Sequence, residues 1–347
     1  MTSAFSSFKP AWHIERIAQL RRGEDIVPTH VQIILSDLCN QNCGFCAYRM
    51  DGGFSTADFA ENGNKNPNRR IPTEKCIEII DDCAELGVGA IEFTGGGEPT
   101  VHPDWRYIIE HAQAKGISTG LVTNGVLLRD SPAVRNLAWL RISLDAATEE
   151  TYEKTRESKQ WPKALSAMEL GGQLHGPYVG VGFVVTRENY RELAAACALV
   201  KRFGIPYVRI SAMFSYGGAL YYAGIEEEIN AQRKAAKTME DGTFKVVDFF
   251  DDRVNDLKAA RPDYDFCGEQ QFVLYIGGNQ KVYTCCTNAY TPHGEIGDLK
   301  DKSFKDWMAS HRRYDFNARG CHHCQFNEKN KVVNFLLEKQ PMHVDFV

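Results

Sequence analysis

Cys39, Cys43 and Cys46 place three thiols within eight residues, spaced C-x3-C-x2-C. Thiolates at that spacing can surround one small inorganic cluster. Three ligands leave one iron of a four-iron cluster open, and an open position is what separates a reactive metal centre from a closed structural one. Cys267, Cys285, Cys321 and Cys324 form a second set towards the other end of the chain, the last two as C-x2-C. Four thiolates can close a cluster completely. Cys286 adjoins Cys285, and because neighbouring strand residues point to opposite faces only one of the two can face such a centre; the hairpin position favours Cys285. Zinc is the structural alternative at both sets, with a fourth ligand elsewhere for the first, and with His322 and His323 as competing ligands for the second. Cys76, Cys83 and Cys197 fall among apolar helical residues and read as buried small hydrophobes.

Eleven cysteines in 347 residues need this explanation because a chain of that length buries a large core without disulfides. The hydrophobic content of 43% and charged content of 24% are those of an ordinary globular protein. No apolar run approaches a membrane span, and the first residues lack the continuous apolar stretch of a secretory signal. A reducing cytoplasmic setting follows as the expectation, and there clustered cysteines hold metal or do chemistry. The formal net charge of -5 argues against a broad phosphate-binding face, hence against avid nucleic-acid binding.

The elements that must position these thiols are legible as an alternation. Strands are expected at Val31 to Leu35, Ala90 to Thr94, Ile117 to Thr123, Leu140 to Leu144, Val179 to Val185 and Tyr207 to Ser211, separated by amphipathic helices such as Thr73 to Leu86 and Tyr190 to Phe203. Six such units predict an α/β fold, a partial (β/α)6 barrel. Sites in parallel βα folds form at the carboxyl ends of the strands, and the polar motifs cluster there. Gly95-Gly96-Gly97-Glu98-Pro99 ends the second strand, Thr123-Asn124-Gly125 the third, and Ser143-Leu144-Asp145 the fourth. Arg49 to Ile71 is a long polar insertion, a candidate lid whose Arg69 and Arg70 could meet an anionic substrate. Tyr216, Tyr221, Tyr222 and Arg209, after or within the last strand, are candidates for lining a substrate pocket. Gln271 to Ile276 and Lys281 to Cys285 flank Gly277-Gly278-Asn279-Gln280 as a β-hairpin.

Cys39-Asn40-Gln41-Asn42-Cys43-Gly44-Phe45-Cys46, the glycine-rich segment and the Ser143 to Arg156 stretch together resemble the radical S-adenosylmethionine (SAM) superfamily over most of residues 31 to 213. That resemblance implies a SAM-binding 4Fe-4S cluster on Cys39, Cys43 and Cys46. It implies that Gly95, Gly96, Gly97, Glu98 and Pro99 form the segment meeting the cofactor's amino group, with Asn124 at the neighbouring strand end. It also implies Ser143 and Asp145 near the ribose, Arg156 at the cofactor carboxylate and Phe45 on the adenine side. From the residues alone, Ser143 and Asp145 could instead cap the next helix, and Arg156 could be an exposed helix charge. The C-terminal set resembles a twitch domain, the shortened relative of the SPASM domain, and implies one auxiliary 4Fe-4S cluster. The expected division is a helical extension over 1–30, the barrel over 31–225, a helical connector over 226–265 and a small β-hairpin/α auxiliary-cluster domain over 266–347.

By the same resemblance the chain is an oxidoreductase that reductively cleaves SAM to a 5'-deoxyadenosyl radical, abstracts a substrate hydrogen, and oxidises or cross-links a small molecule or peptide. Its expected partners are that substrate and a reductant such as flavodoxin or ferredoxin, with neither membrane nor nucleic acid. Only 38 residues precede Cys39, so a peptide leader is expected to need a separate delivery partner. The rival readings are a peptide epimerase, an RNA- or nucleotide-modifying enzyme, and a non-catalytic protein with two structural metal sites.

Overall fold

The computed structural model describes residues 2–48, 69–215, 217–259, 261–311, 313, 316–338 and 342. Ten strands form one sheet: β1 (His30–Ile34), β2 (Ala90–Thr94), β3 (Ser118–Thr123), β4 (Trp139–Ser143), β5 (Tyr178–Val185), β6 (Tyr207–Ala212), β7 (Lys245–Asp248), β8 (Val273–Ile276), β9 (Lys281–Tyr283) and β10 (Glu295–Asp298). The order is β10-β9-β8-β1-β2-β3-β4-β5-β6-β7. Neighbours from β1 to β7 run parallel, and β8 joins the other edge of β1 in parallel before turning back into β9 and β10. This is the expected α/β partial barrel, with two differences. The segment 245–248 is a seventh strand inside the stretch read as a helical connector; four residues are too short to show a period, and pairing with β6 decides their conformation. The hairpin 273–283 continues the barrel sheet through β1 and is not a detached layer.

Four helices pack on the outside of the sheet through the same spacing. Thr73–Leu86 buries Cys76, Ile79, Ile80 and Cys83; Trp105–Ala114 buries Trp105, Ile108, Ile109 and Ala112; Trp161–Gln173 buries Ala164, Ala167, Met168 and Gly171; Leu193–Arg202 buries Leu193, Ala196, Cys197 and Val200. Each set is i, i+3, i+4, i+7, one helical face. The expectation that Cys76, Cys83 and Cys197 are core residues therefore holds, all three being fully buried. Thr73–Leu86 stops at Gly87, whose φ of 80° closes the helix in the left-handed conformation.

The strands present their other side inward, and that side is polar. Along β2 and β4, Ile91, Phe93, Leu140 and Ile142 are buried outward, whereas Glu92, Thr94, Arg141 and Ser143 are only half-buried. Parallel strands covered on both faces read as continuous apolar runs. Alternation here means that the barrel interior is a solvated cavity rather than a second core.

Helix Trp161–Gln173 approaches the turn after Leu193–Arg202 so closely that a Cβ on Gly172 would stand 1.8 Å from the Phe203 carbonyl oxygen. Helix propensity alone would make Gly172→Ala stabilising by about 1 kcal/mol. The overlap with backbone is expected to reverse the sign, to a loss of about 1–3 kcal/mol, measured by equilibrium urea denaturation.

Candidate active site

The loop after β1 carries Cys39, Cys43 and Cys46, each half-buried. It is gripped from four directions. The Glu98 amide donates to the Leu38 carbonyl at 2.9 Å. Asn124 Nδ2 donates to Asn40 Oδ1 at 2.7 Å. Gln41 Nε2 donates to the Tyr152 hydroxyl at 2.6 Å, and Arg156 Nη1 donates to Gln41 Oε1 at 3.2 Å. Asn42 Nδ2 donates to Glu157 Oε2 at 2.5 Å, while the Asn42 amide donates to the Arg156 carbonyl at 3.3 Å. Helix Glu149–Arg156 supplies two of these grips because Thr148 caps it and its last turn returns to the loop.

The glycine segment fits against this loop by lacking side chains. A Cβ on Gly97 would stand 2.2 Å from the Leu38 oxygen and 2.5 Å from Ser36 O, and one on Gly95 would stand 1.8 Å from Gly97 O. Glu98 is buried, and its carboxylate accepts from the Thr100 amide (3.1 Å) and hydroxyl (2.6 Å), the Thr123 hydroxyl (2.6 Å) and the Asn124 amide (2.8 Å). Burial raises its pKa, with these four donors opposing that shift. Glu98 thus welds the second and third strand ends together.

Asp145 has a φ of 58° and is fully buried. It accepts from the Val184 amide at 2.6 Å and from Arg156 Nη2. Arg156 also points Nη1 at Cys43 Sγ, 3.7 Å away, and lies 5.5 Å from the centre of the Phe45 ring. Burial works against the Arg156 charge, and Asp145, Cys43 and Tyr152 together override it, so the guanidinium holds its proton more firmly than usual. Arg156 is therefore no exposed helix charge, and Asp145 does more than cap a helix.

Around these groups lies a cavity of about 340 Å³, within the size range of small-ligand sites. Cys39, Cys43, Phe45, Cys46, Gly95, Gly96, Gly97, Glu98, Asn124, Ser143, Asp145 and Arg156 all line it, whereas Pro99 is buried behind the turn and does not. Asn40 Nδ2 and Arg156 Nε are buried donors with no partner among the described residues. Three accessible thiols, a cradle that any Cβ would fill and two orphaned donors suit an iron-sulfur cluster with a small polar cofactor beside it. A larger cavity, about 1,040 Å³, opens at the amino ends of the strands near His30, Ser118 and Trp139; no cysteine lines it, and βα sites form at the opposite end.

The second set also converges. Cys267, Cys285, Cys321 and Cys324 line one small cavity, and Cys286 does not; it faces the barrel interior, where Gln325 Nε2 donates to its sulfur at 2.5 Å. The Tyr264 hydroxyl (3.2 Å) and Asn330 Nδ2 (3.5 Å) donate to Cys324 Sγ, and Asn288 Nδ2 donates to Cys321 Sγ at 3.1 Å. Burial pushes all four thiols up, Cys321 to about 11. Bound metal would deprotonate them, and donors already aimed at sulfur suit the thiolate form. His322 is exposed and His323 is buried at the cavity wall. Among the described residues no three His, Cys, Asp or Glu side chains are gathered tightly enough to hold a single metal ion.

Some expectations change. Arg69 is not free for an anionic substrate: its Nε donates to buried Asp37 at 2.6 Å, and Tyr290 donates to the same carboxylate. Residues 49–68 of the candidate lid and Tyr216 lie outside the described residues, while Arg70 is half-buried and Ile71 is in the core. Tyr221 and Tyr222 pack on each other, and the Tyr222 hydroxyl donates to Val185 O at 2.9 Å, away from the cavity. Sequence reading missed Asp37, Gln41 and Arg141. For Arg141 the signal was present, two positions before Ser143 on the same strand face.

Residues 33–200 match the Radical SAM superfamily. Mycofactocin maturase MftC of Mycobacterium tuberculosis (strain ATCC 25618 / H37Rv) is 26% identical over 277 residues, 78% of this chain and 67% of that protein. The tungsten-containing aldehyde ferredoxin oxidoreductase cofactor-modifying protein of Pyrococcus furiosus is 25% identical over 275 residues, covering 68% and 72%. Streptococcus suis SuiB bound to S-adenosylmethionine shares the fold, with a TM-score of 0.62 at 15% identity over 94% of this chain and 79% of SuiB. No described helix is long and apolar enough to cross a membrane.

Asp145→Asn keeps the shape and tolerates the left-handed backbone, but leaves the Arg156 charge buried without a counter-ion. The expected loss is about 3–5 kcal/mol in unfolding free energy, read by urea denaturation of the cluster-free chain.

Proposed function

Because this chain belongs to the radical SAM superfamily, we propose that it abstracts a hydrogen atom from a peptide or small-molecule substrate and oxidises or cross-links it. The observation that carries this is the convergence of three half-buried thiols, the Gly95–Gly97 cradle and Arg156 on one cavity. When bound, a 4Fe-4S cluster with S-adenosylmethionine would supply reductive cleavage to methionine and a 5'-deoxyadenosyl radical. The protein's part is positional. Cys39, Cys43 and Cys46 would hold the cluster, and Gly95 to Gly97 leave backbone free to approach the cofactor's amino group. Phe45, Ser143 and the donors of Arg156 and Asn124 would orient the rest, and Glu98, with all its acceptors engaged, would fix the turn. Cys267, Cys285, Cys321 and Cys324 would hold a fully ligated auxiliary 4Fe-4S cluster, as a SPASM-like domain does. With no open iron for substrate, electron transfer is its most economical role, which favours net oxidation.

A maturase among the relatives and SuiB solved with its precursor peptide SuiA support a peptide substrate; the cofactor-modifying relative supports a smaller molecule. A reductant such as flavodoxin or ferredoxin and a cytoplasmic setting complete the reading. One observation favours epimerisation instead: the Cys286 thiol faces the barrel interior together with Tyr48 and Arg209, where it could return a hydrogen atom. Product mass separates the two, since epimerisation leaves mass unchanged apart from one solvent deuterium.

Anaerobic reconstitution is expected to load about eight irons per chain and, with dithionite and S-adenosylmethionine, to yield 5'-deoxyadenosine. Cys43→Ala should abolish that product. Cys285→Ala should lose about four irons, and Cys286→Ala none. Zinc in place of iron with no 5'-deoxyadenosine would decide for a structural metal protein.

A further inference from the structure

The cofactor cavity shares Tyr48, Thr94, Arg141 and Arg209 with a second cavity of about 720 Å³ that opens through the barrel interior. Register brings the two arginines to one place. Gly182 on β5 pairs with Ser143 of β4 on one side and with Arg209 of β6 on the other. Having no side chain, Gly182 leaves its inward space to the Arg141 stem, whose Cδ would lie 3.6 Å from an added Cβ. The two guanidiniums therefore face the same opening across a gap in the wall.

Among the described residues neither is held by a carboxylate at hydrogen-bond distance. Arg141 lies 5.7 Å from the Trp139 ring and Arg209 5.3 Å from the Phe249 ring. Neither makes a hydrogen bond or ion pair among the described residues. Arg253 nearby differs, being bonded to Asp256 at 2.7 Å. Glu92, the acid of the same inward layer, is already engaged by Gln32 at 2.8 Å and His30 at 3.6 Å. Burial, with repulsion from Arg141 and Arg253, pushes Arg209 down to about 9 against the smaller pull of Glu92. Two forks of N–H donors in a recess, facing one shared carboxylate and hydrogen-bonded to none among the described residues, are costly unless an anion arrives.

We propose that Arg141 and Arg209 form a subsite for a carboxylate of the substrate, set between the cofactor cavity and the wider barrel opening. The proposal rests on the radical SAM reading above and narrows its substrate class to molecules with a carboxylate near the carbon that loses hydrogen. Two guanidiniums against one Glu92 carboxylate leave about one positive charge in this layer, which suits a carboxylate better than a phosphate dianion. The rival source of the same chemistry is the carboxylate of S-adenosylmethionine itself.

The test uses the full reconstituted chain, oxidised so that no cleavage occurs, with saturating S-adenosylmethionine. Ligand-observed saturation-transfer NMR compares N-acetylglycine with N-acetylglycinamide, which differ by one charge. The acid is expected to bind at least about tenfold more tightly, as hydrogen bonds to a charged group imply. Arg141→Met and Arg209→Met should each remove that preference. Equal binding of the two probes by the unaltered protein overturns the proposal without recourse to any variant, as does a preference that survives both substitutions. A preference seen only without S-adenosylmethionine assigns the arginines to the cofactor and also overturns it. Formation of 5'-deoxyadenosine is assayed separately on the unaltered protein: its absence would sink the radical reading and leave the acid-over-amide result to stand by itself.

Discussion

The close approach of Gly97 to the backbone of residues 36–38 is the constraint on which the site depends. Three cysteine side chains on an eight-residue loop have many rotamers and would not by themselves converge. Pressing the second strand's end directly onto the loop, with the Glu98 amide bonded to Leu38 O, removes the freedom that would scatter them. Glu98 then carries the restraint onward to Thr123 and Asn124, and Asn124 returns it to Asn40. A closed circuit of short polar contacts thus joins three strand ends, and one side chain on Gly97 would break it.

From that fixed point the rest of the barrel assigns chemistry by face. Outward residues build the apolar contact with the helices, and inward residues remain polar because they border a cavity. The buried Asp145–Arg156 pair illustrates how the two meet: a charge held beside Cys43 persists in a low-dielectric setting only because its counter-ion is adjacent. Arg141 and Arg209 have no such adjacent carboxylate among the described residues, which is why they point to a ligand and Arg156 in large part does not. Asp37 does for the C-terminal hairpin what Glu98 does for the strand ends, tying Tyr290 and the Gly278 turn to the residue two positions before Cys39. The two cysteine sets are therefore parts of one framework.

Much of this was legible in the chain itself. The six strands were placed within about one residue of their ends because each has β-branched or aromatic residues bounded by turn signals. The cysteine sets and the glycine segment are local patterns, and local patterns survive translation into sequence. What escaped was non-local. Lys245 to Asp248 holds two valines after a turn signal but is too short to show a period, and the hydrogen bonds that make it a strand come from β6. Arg69 read as a contact for an anionic substrate because its partner Asp37 lies 32 positions away. The choice between Cys285 and Cys286 could be framed by strand alternation, but which face turned to Cys267 and Cys324 depended on how the hairpin joined β1.

The central claim is that the Cys39, Cys43 and Cys46 site leaves one iron open to S-adenosylmethionine. Electron–nuclear double resonance on the reduced protein with cofactor labelled by nitrogen-15 at the methionyl amino group tests it directly. The account predicts a strong hyperfine coupling from that nitrogen to a cluster iron, lost when Cys43 is replaced. A cluster signal with no coupling to the label, or with a protein side chain on the fourth iron, would contradict it.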